Sequence, residues 1–130
     1  MGDDSETTVV PVIAGDWPAP RAMRLRLRFH DRELLVEGRR SSLTIGRNDD
    51  NNLVMKGHLI SRLHARIEIS RNTFVLIDQS TNGTFVQTAD GEELFARHDS
   101  LKLKGQGLIG LGRLPEQGSP YTIHFTCEEV

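Results

Sequence analysis

The chain has 130 residues, a formal net charge of −2 and one cysteine, Cys127. This length suits one domain with its own hydrophobic core, and a single cysteine excludes an internal disulfide framework. No apolar stretch approaches the roughly 20 residues of a membrane span, and the acidic start Met-Gly-Asp-Asp-Ser-Glu does not resemble a secretory signal. We therefore expect a cytoplasmic protein without a membrane partner.

Residues 1–22 differ in composition from the rest of the chain. Four of the 18 acidic residues and no basic residue lie in residues 1–16, and three of the five prolines precede residue 21. Such segments bury too little apolar surface to fold. We predict a flexible acidic leader over residues 1–22 and a folded domain over residues 23–130. Residues 17–130 hold the other 14 acidic residues and all 16 basic ones, so this part of the chain carries about +2.

The folded part begins with a strand in which apolar and basic residues alternate from Met23 to His30. Nine shorter apolar segments follow: Glu33–Glu37, Leu43–Gly46, Leu53–Met55, Ala65–Ser70, Thr73–Ile77, Thr84–Gln87, Leu101–Leu103, Leu108–Leu111 and Tyr121–Cys127. Turn residues separate them, and none shows a ten-residue helical stripe. Short, evenly spaced strands predict an all-β fold, an antiparallel β-sandwich of about eleven short strands with ligand loops at one end.

One dense basic stretch needs an interpretation. It consists of Arg21, Arg24, Arg26, Arg28, Arg32, Arg39 and Arg40. Three of these arginines alternate with apolar residues, which favours the solvated face of a first strand. A basic face also suits nucleic acid, but aromatic residues do not interleave with these arginines. We therefore expect no nucleic-acid partner.

Three polar clusters occur at predicted strand ends: Gly46-Arg47-Asn48, Ser61-Arg62-Leu63-His64-Ala65 and the segment 78–86. Loops of this kind gather at one end of a sandwich. Together they offer two guanidinium groups, a side-chain amide and three hydroxyls (Ser61, Ser80, Thr81). A planar guanidinium surrounded by short neutral donors is the set that binds phosphate.

These motifs resemble the signature of the forkhead-associated (FHA) family in order and spacing. The matching residues are Gly46-Arg47, Ser61-Arg62-x-His64 and Ser80-Thr81-Asn82-Gly83-Thr84. The resemblance covers residues 23–127 and implies an FHA/SMAD-like sandwich. It also implies a non-catalytic module, without cofactor or metal, that binds phosphothreonine in a partner protein and is linked to a Ser/Thr kinase.

The resemblance implies a role for each matched position in phosphopeptide binding. Arg47 grips the phosphate, Ser61 donates its hydroxyl to a phosphate oxygen, and Arg62 makes a second contact. Thr81 lies near the phosphate, and Asn82 holds the peptide backbone. The same resemblance implies that three further residues, Gly46, His64 and Gly83, support these loops.

Two functional alternatives stay open. One is an FHA-fold scaffold that binds partners through another surface, independently of phosphate. The other is a module that regulates an attached or partner enzyme, as in bacterial-type signalling.

Other motifs are set aside. The spacing G-x-G-x-x-G at residues 105–110 lacks a following helix, so it does not predict a dinucleotide site. A triad of Ser61, His64 and Asp78 lacks a nucleophile elbow, and the five histidines lack metal-site spacing.

The leader itself is a candidate ligand. Thr7 and Thr8 follow acidic residues and precede aliphatic ones, which makes them candidate phosphorylation sites. The 15 residues from Thr8 to Met23 span at most about 50 Å when extended. A phosphorylated leader therefore reaches the predicted site in cis or in a second molecule.

Overall fold

The computed structural model describes residues 22–38 and 42–130. Eleven strands occur in these residues, numbered β1 to β11 in chain order: Met23–Phe29, Arg32–Val36, Ser42–Gly46, Leu53–Val54, Ala65–Ser70, Thr73–Asp78, Thr84–Thr88, Glu93–Ala96, Ser100–Leu103, Gln106–Leu111 and Thr122–Glu129. No helix in the part of the chain that is described has the length and hydrophobicity needed to cross a membrane.

The strands form two facing sheets. One has five strands in the order β9-β6-β5-β3-β4, and the other has six in the order β2-β1-β11-β10-β7-β8. All pairs are antiparallel except β3 and β4, which pair in parallel over two residues. The predicted all-β sandwich is confirmed, with this short parallel pair as its one departure from an antiparallel arrangement among the described strands.

The core lies between the two sheets, where the inward-facing residues of alternating strands meet. In β1, Leu25 and Leu27 are fully buried, while the arginines that alternate with them, Arg24, Arg26 and Arg28, face outward. Phe125 from β11 and Phe74 from β6 are the largest fully buried side chains. Because side chains alternate across a strand, the period of two in the sequence decides which residues enter the core.

The strand β8 is missing from the sequence prediction. Its residues Glu93-Leu94-Phe95-Ala96 have only Ala96 fully buried, and Phe95 faces outward. The strand forms because the turn at Asp90-Gly91 returns the chain to pair with β7, and it ends the six-stranded sheet as an edge. A short edge strand with little buried surface carries almost no periodicity signal.

The outer face of β1 carries ion pairs across strands rather than only solvated arginines. Arg24 Nε lies 2.7 Å and Arg26 Nη2 2.8 Å from Glu128 Oε2 on the neighbouring β11. Arg26 Nη1 also donates to Glu33 on β2 at 2.6 Å. Hydrogen bonds from Arg26 and Arg24 lower the pKa of Glu128 to about 2. These pairs join three adjacent strands of the six-stranded sheet.

We expect the stabilisation from Glu128 to depend on pH. A carboxyl with a lowered pKa stabilises the folded state above its ordinary pKa, near 4.5, and loses this contribution as the pH falls towards about 2. Urea unfolding of the wild type and Glu128→Gln should therefore differ at pH 7, and the difference should shrink below pH about 4.5 and vanish only below pH about 2. A difference that stays constant over this range would contradict the assignment.

The two ends of the sandwich are distinct. Met23 N donates to Asn72 Oδ1 at 3.3 Å, so β1 begins beside the β5–β6 turn. Val130 N donates to Ala22 O at 2.9 Å, so β11 finishes at this same end. The strand β5 runs from Ala65 to this turn, which places Ser61–His64 and the other polar clusters at the opposite end. The predicted gathering of loops at one end is thus observed.

Candidate functional site

Two of the predicted clusters are joined by backbone hydrogen bonds. Arg47 N donates to Ser61 O at 2.9 Å, and Asn48 N donates to Arg62 O at 3.2 Å. Gly46 permits this approach, because a Cβ atom there would lie 2.2 Å from Arg62 O. Asn51 Nδ2 adds a bond to the same carbonyl at 2.8 Å. The Gly46 support role implied by the resemblance therefore has a geometric basis in close backbone contact.

Arg47 has an oriented but accessible guanidinium. Its Nε donates to Ile60 O at 3.0 Å, which directs the side chain across the second cluster. The terminal nitrogens have no hydrogen-bond partner among the described residues, and the residue is exposed. Two N–H groups on one planar fork are thus available to an anion, in the geometry that oxygens of a phosphate accept.

Ser61 and Thr81 connect the second cluster to the third. Thr81 N donates to Ser61 Oγ at 3.1 Å. Because the hydroxyl oxygen accepts this bond, its proton remains available for donation to a ligand. Asn82 Nδ2 donates to Leu59 O at 3.1 Å, which leaves Asn82 Oδ1 and one N–H for other partners. The structure thus brings Arg47, Ser61, Thr81 and Asn82 to one surface.

His64 lies fully buried beneath these loops. Ser61 N donates to His64 Nδ1 at 3.1 Å, so Nδ1 is the unprotonated nitrogen. Nε2 then carries the proton and donates to Gly83 O at 2.8 Å. Burial lowers the pKa of His64, against the opposing effects of the Gly83 bond and the Asp78 charge. A neutral His64 therefore ties the second cluster to the third.

This bonding also excludes the Ser61–His64–Asp78 triad as a catalytic arrangement. His64 Nδ1 faces the Ser61 backbone, not its hydroxyl, and Nε2 lies 3.9 Å from Asp78 Oδ1 while bonding a carbonyl. Neither ring nitrogen is placed to accept the Ser61 proton.

Ser80 differs from its expected role as a phosphate donor. It is 1% exposed, and its Oγ donates to Asp78 Oδ1 at 2.7 Å while accepting from Gly83 N at 2.7 Å. Thr84 Oγ1 donates to the same Asp78 oxygen at 2.7 Å. Burial alone would raise the pKa of Asp78, but the hydrogen bonds outweigh burial and lower it. Ser80 therefore holds the third cluster together from inside and is not available to a ligand.

The remaining predicted residues occupy simpler positions. Arg62 is exposed, its carbonyl accepts the two bonds described above, and its guanidinium has no partner in the described part of the chain. Gly83 has φ +88°, which favours glycine. The Asn82-Gly83 pair, a common hairpin turn, here connects β6 in one sheet to β7 in the other. Thr7 and Thr8 lie outside the described residues.

Two further cationic residues, which no sequence motif indicates, contact these loops. Lys56 Nζ donates to Arg47 O and to Asp49 Oδ1, each at 2.8 Å. Arg97 Nε donates to Thr81 O at 2.9 Å. Both lie in segments without a motif, so no signal in the sequence indicates them. Their contacts with the loops exist only in the folded structure. Arg97 adds a cation beside the predicted ligand surface, whereas the charge of Lys56 is paired with Asp49.

Neither of the remaining motifs forms a site. The G-x-G-x-x-G spacing falls mostly within β10, a strand, so no helix starts in it. The described residues hold no group of three or more His, Cys, Asp or Glu side chains that could bind a metal ion.

Comparison with solved structures shows the same sandwich in several proteins. FHA-1 of Mycobacterium tuberculosis Rv1747 matches with a TM-score of 0.62 and 17% identity, over 85% of this chain and 100% of that one. The FHA domain of the CT664 protein from Chlamydia trachomatis matches with a TM-score of 0.56 and 20% identity, over 84% and 98%. The MEK1 FHA domain, in complex with a phosphothreonine peptide of HOP1, matches with a TM-score of 0.57 and 20% identity, over 81% of this chain and 95% of that one.

The sequence comparisons agree with the fold. No curated protein is significantly similar to this chain in sequence. The family model of the FHA domain matches residues 43–112, a segment that contains all three polar clusters. This match covers more than half of the 130 residues, and the chain therefore belongs to the FHA domain family.

Proposed function

We propose that this chain is a phosphothreonine-dependent protein–protein interaction module that performs no catalysis. Its folded domain extends over residues 23–130, in line with strands that run from Met23 to Glu129. The ligand surface consists of Arg47, Ser61, Thr81 and Asn82, and Arg62 lies next to them. The proposal includes a Ser/Thr kinase that phosphorylates the partner.

One observation carries the proposal. Arg47 is oriented through its Nε while both terminal nitrogens stay without a partner in the described chain, beside a Ser61 hydroxyl whose proton is also available. A phosphothreonine brings about −1.5 to −2 charge and three acceptor oxygens. Each charge-assisted bond contributes about 1.5–3 kcal/mol, so an unphosphorylated peptide lacks most of the attraction. The MEK1 complex with a phosphothreonine peptide supports the same use of the fold.

Selectivity for flanking residues is proposed to come from Leu59. This residue is partly buried, and its backbone lies against Gly112, where a Cβ atom would be 2.5 Å from Leu59 O. In the family, residues just before the matched serine help to select the third residue after the phosphothreonine. An apolar side chain at this place favours an apolar residue in the ligand over an acidic one.

Fluorescence anisotropy with a degenerate phosphothreonine peptide library tests the proposal directly. We expect micromolar affinity for phosphothreonine and none for the unphosphorylated library. Phosphoserine should bind at least about fourfold more weakly, since a buried methyl contributes about 0.8 kcal/mol. Equal affinity for the phosphorylated and the unphosphorylated library would instead support the scaffold that binds partners independently of phosphate.

The same assay examines the leader. We propose that phosphorylated Thr7 or Thr8 occupies the Arg47 and Ser61 site, in cis or in a second molecule. The apparent affinity for an external phosphopeptide should then fall after phosphorylation of the leader, and remain unchanged in a variant with alanine at both threonines. An equal affinity before and after phosphorylation would refute this arrangement.

A further inference from the structure

The outer face of the six-stranded sheet has an exposed apolar groove near the ligand loops. Its volume is about 480 Å³. It lies between the β7–β8 pair and the segment 114–116. We call it the apolar groove, and its apolar lining consists of Phe85, Val86, Leu94, Phe95, Leu114 and Pro115. Phe95 is 54% and Leu114 60% exposed. Such exposed side chains, gathered rather than scattered, indicate an interaction surface.

The apolar groove is continuous with the proposed phosphopeptide site through Gly83. The Phe95 ring packs so closely on Gly83 that a Cβ atom there would lie 2.4 Å from the ring. On the other wall, Gly112 N donates to Gly83 O at 2.8 Å, two residues before Leu114. Both walls therefore begin at the residue that follows Asn82. Gly83 itself is buried beneath the Phe95 ring, so a chain bound at the exposed Asn82 reaches the apolar groove by crossing Phe95.

The rim of the apolar groove is acidic. Glu93 and Glu116 line it, and both are exposed. Neither carboxylate has a hydrogen bond or an ion pair in residues 22–38 and 42–130. The ligand loops, in contrast, carry the guanidinium groups of Arg47 and Arg62 with Arg97 beside them, while Lys56 is paired with Asp49. The combined surface thus changes from guanidinium groups at the phosphate loops to carboxylates at the apolar groove.

We propose that the apolar groove is a second contact for the same phosphothreonine-bearing partner, and this inference rests on the proposed function. The partner places a bulky apolar side chain against Phe95 and Leu114, next to a Lys or Arg that pairs with Glu93 or Glu116. This occupant follows from the continuity through Gly83 and from the two unpaired carboxylates. The ligand is therefore bipartite, with an anionic part and an apolar-basic part at a fixed spacing.

A spacing scan tests this inference. The probe is the best phosphothreonine peptide from the library, extended by Gly and Ser on both sides, with a Leu-Lys pair moved one residue at a time along either extension. We expect one spacing to bind about tenfold more tightly than the extended peptide without the pair, which corresponds to roughly one buried apolar side chain. Affinity without any dependence on spacing would overturn the inference.

Variants separate the apolar groove from the phosphate site. Leu114→Ser should remove the tenfold gain and leave the affinity for the peptide without the pair unchanged. A peptide with Leu-Ser in place of Leu-Lys, at the best spacing, should bind the wild type more weakly because it lacks the basic residue. The double variant Glu93→Gln, Glu116→Gln should remove only this difference in affinity between the two peptides. Val130→Ser is the matched control, since Val130 is 67% exposed at the other end of the sandwich. A gain retained in Leu114→Ser would overturn the inference.

The two proposals fail in different ways. Suppose that the peptide without the pair binds only when it is phosphorylated and that the spacing scan shows no effect. This result overturns the proposal for the apolar groove and leaves the proposed phosphothreonine binding intact. A complete loss of phosphate-dependent binding for every peptide overturns both proposals together.

Discussion

Arg47→Ala should weaken phosphothreonine peptide binding by about a hundredfold or more. The variant loses two charge-assisted hydrogen bonds from the terminal nitrogens, and two such bonds contribute at least about 3 kcal/mol. Folding stability should hardly change. Arg47 is exposed, and its one side-chain bond to Ile60 O can be replaced by water. Isothermal titration with the selected phosphopeptide and urea unfolding measure the two effects separately.

Two further variants show whether the loss of affinity is specific to the guanidinium group of Arg47. Arg47→Lys keeps the charge but loses the planar fork, so its affinity should lie between the wild type and Arg47→Ala. Arg71→Ala removes an exposed arginine from the β5–β6 turn at the other end of the molecule and should bind like the wild type. Wild-type affinity in Arg47→Ala would contradict the proposed site.

Asp78→Ala should cost about 4 kcal/mol of unfolding free energy. The carboxylate is 2% exposed and accepts four hydrogen bonds. The donors are Ser80 Oγ and Thr84 Oγ1 at 2.7 Å, Ser80 N at 3.0 Å and His98 N at 2.8 Å. Each buried donor left without a partner costs about 1–3 kcal/mol, and part of this is recovered by rearrangement or water. In a domain of this size the melting temperature should fall by about 15 °C.

Circular dichroism during thermal and urea unfolding checks this expectation. Asp90→Ala is the matched control, because Asp90 is an exposed carboxylate that is bonded to Thr88 in the β7–β8 turn. Its removal should leave the melting temperature nearly unchanged. A melting temperature for Asp78→Ala within a few degrees of the wild type would show that this buried network is not important for stability.

The strands of the core were predictable because each has a simple period. The alternation from Met23 to His30 predicted the start of β1 and its end to within one residue, and it predicted the inward face from which Leu25 and Leu27 enter the core. The short strand β8 was not predictable. It forms through pairing with β7 and buries little surface of its own.

The site was predictable as a set of loops but not atom by atom. The motifs indicated which segments meet, and the structure brings these segments together. The residue types alone do not show which serine hydroxyl is available to a ligand. Ser61 Oγ accepts from Thr81 N and keeps its proton for a ligand, whereas Ser80 Oγ donates to Asp78 and accepts from Gly83 N. That difference depends on tertiary hydrogen bonds. The contacts of Lys56 and Arg97 with the loops likewise arise only when distant segments pack together.

The neighbouring ends of β1 and β11 affect how such a domain is tethered. Ala22 and Val130 are hydrogen-bonded to each other at the end opposite the ligand loops. Polypeptide joined at either side would therefore leave the sandwich from one place, at the end opposite the loops. Inserted between two other domains, the sandwich would add little to the distance between its attachment points. Copies joined in series could present their loops outward together, so that a multiply phosphorylated partner would be held at a high effective concentration.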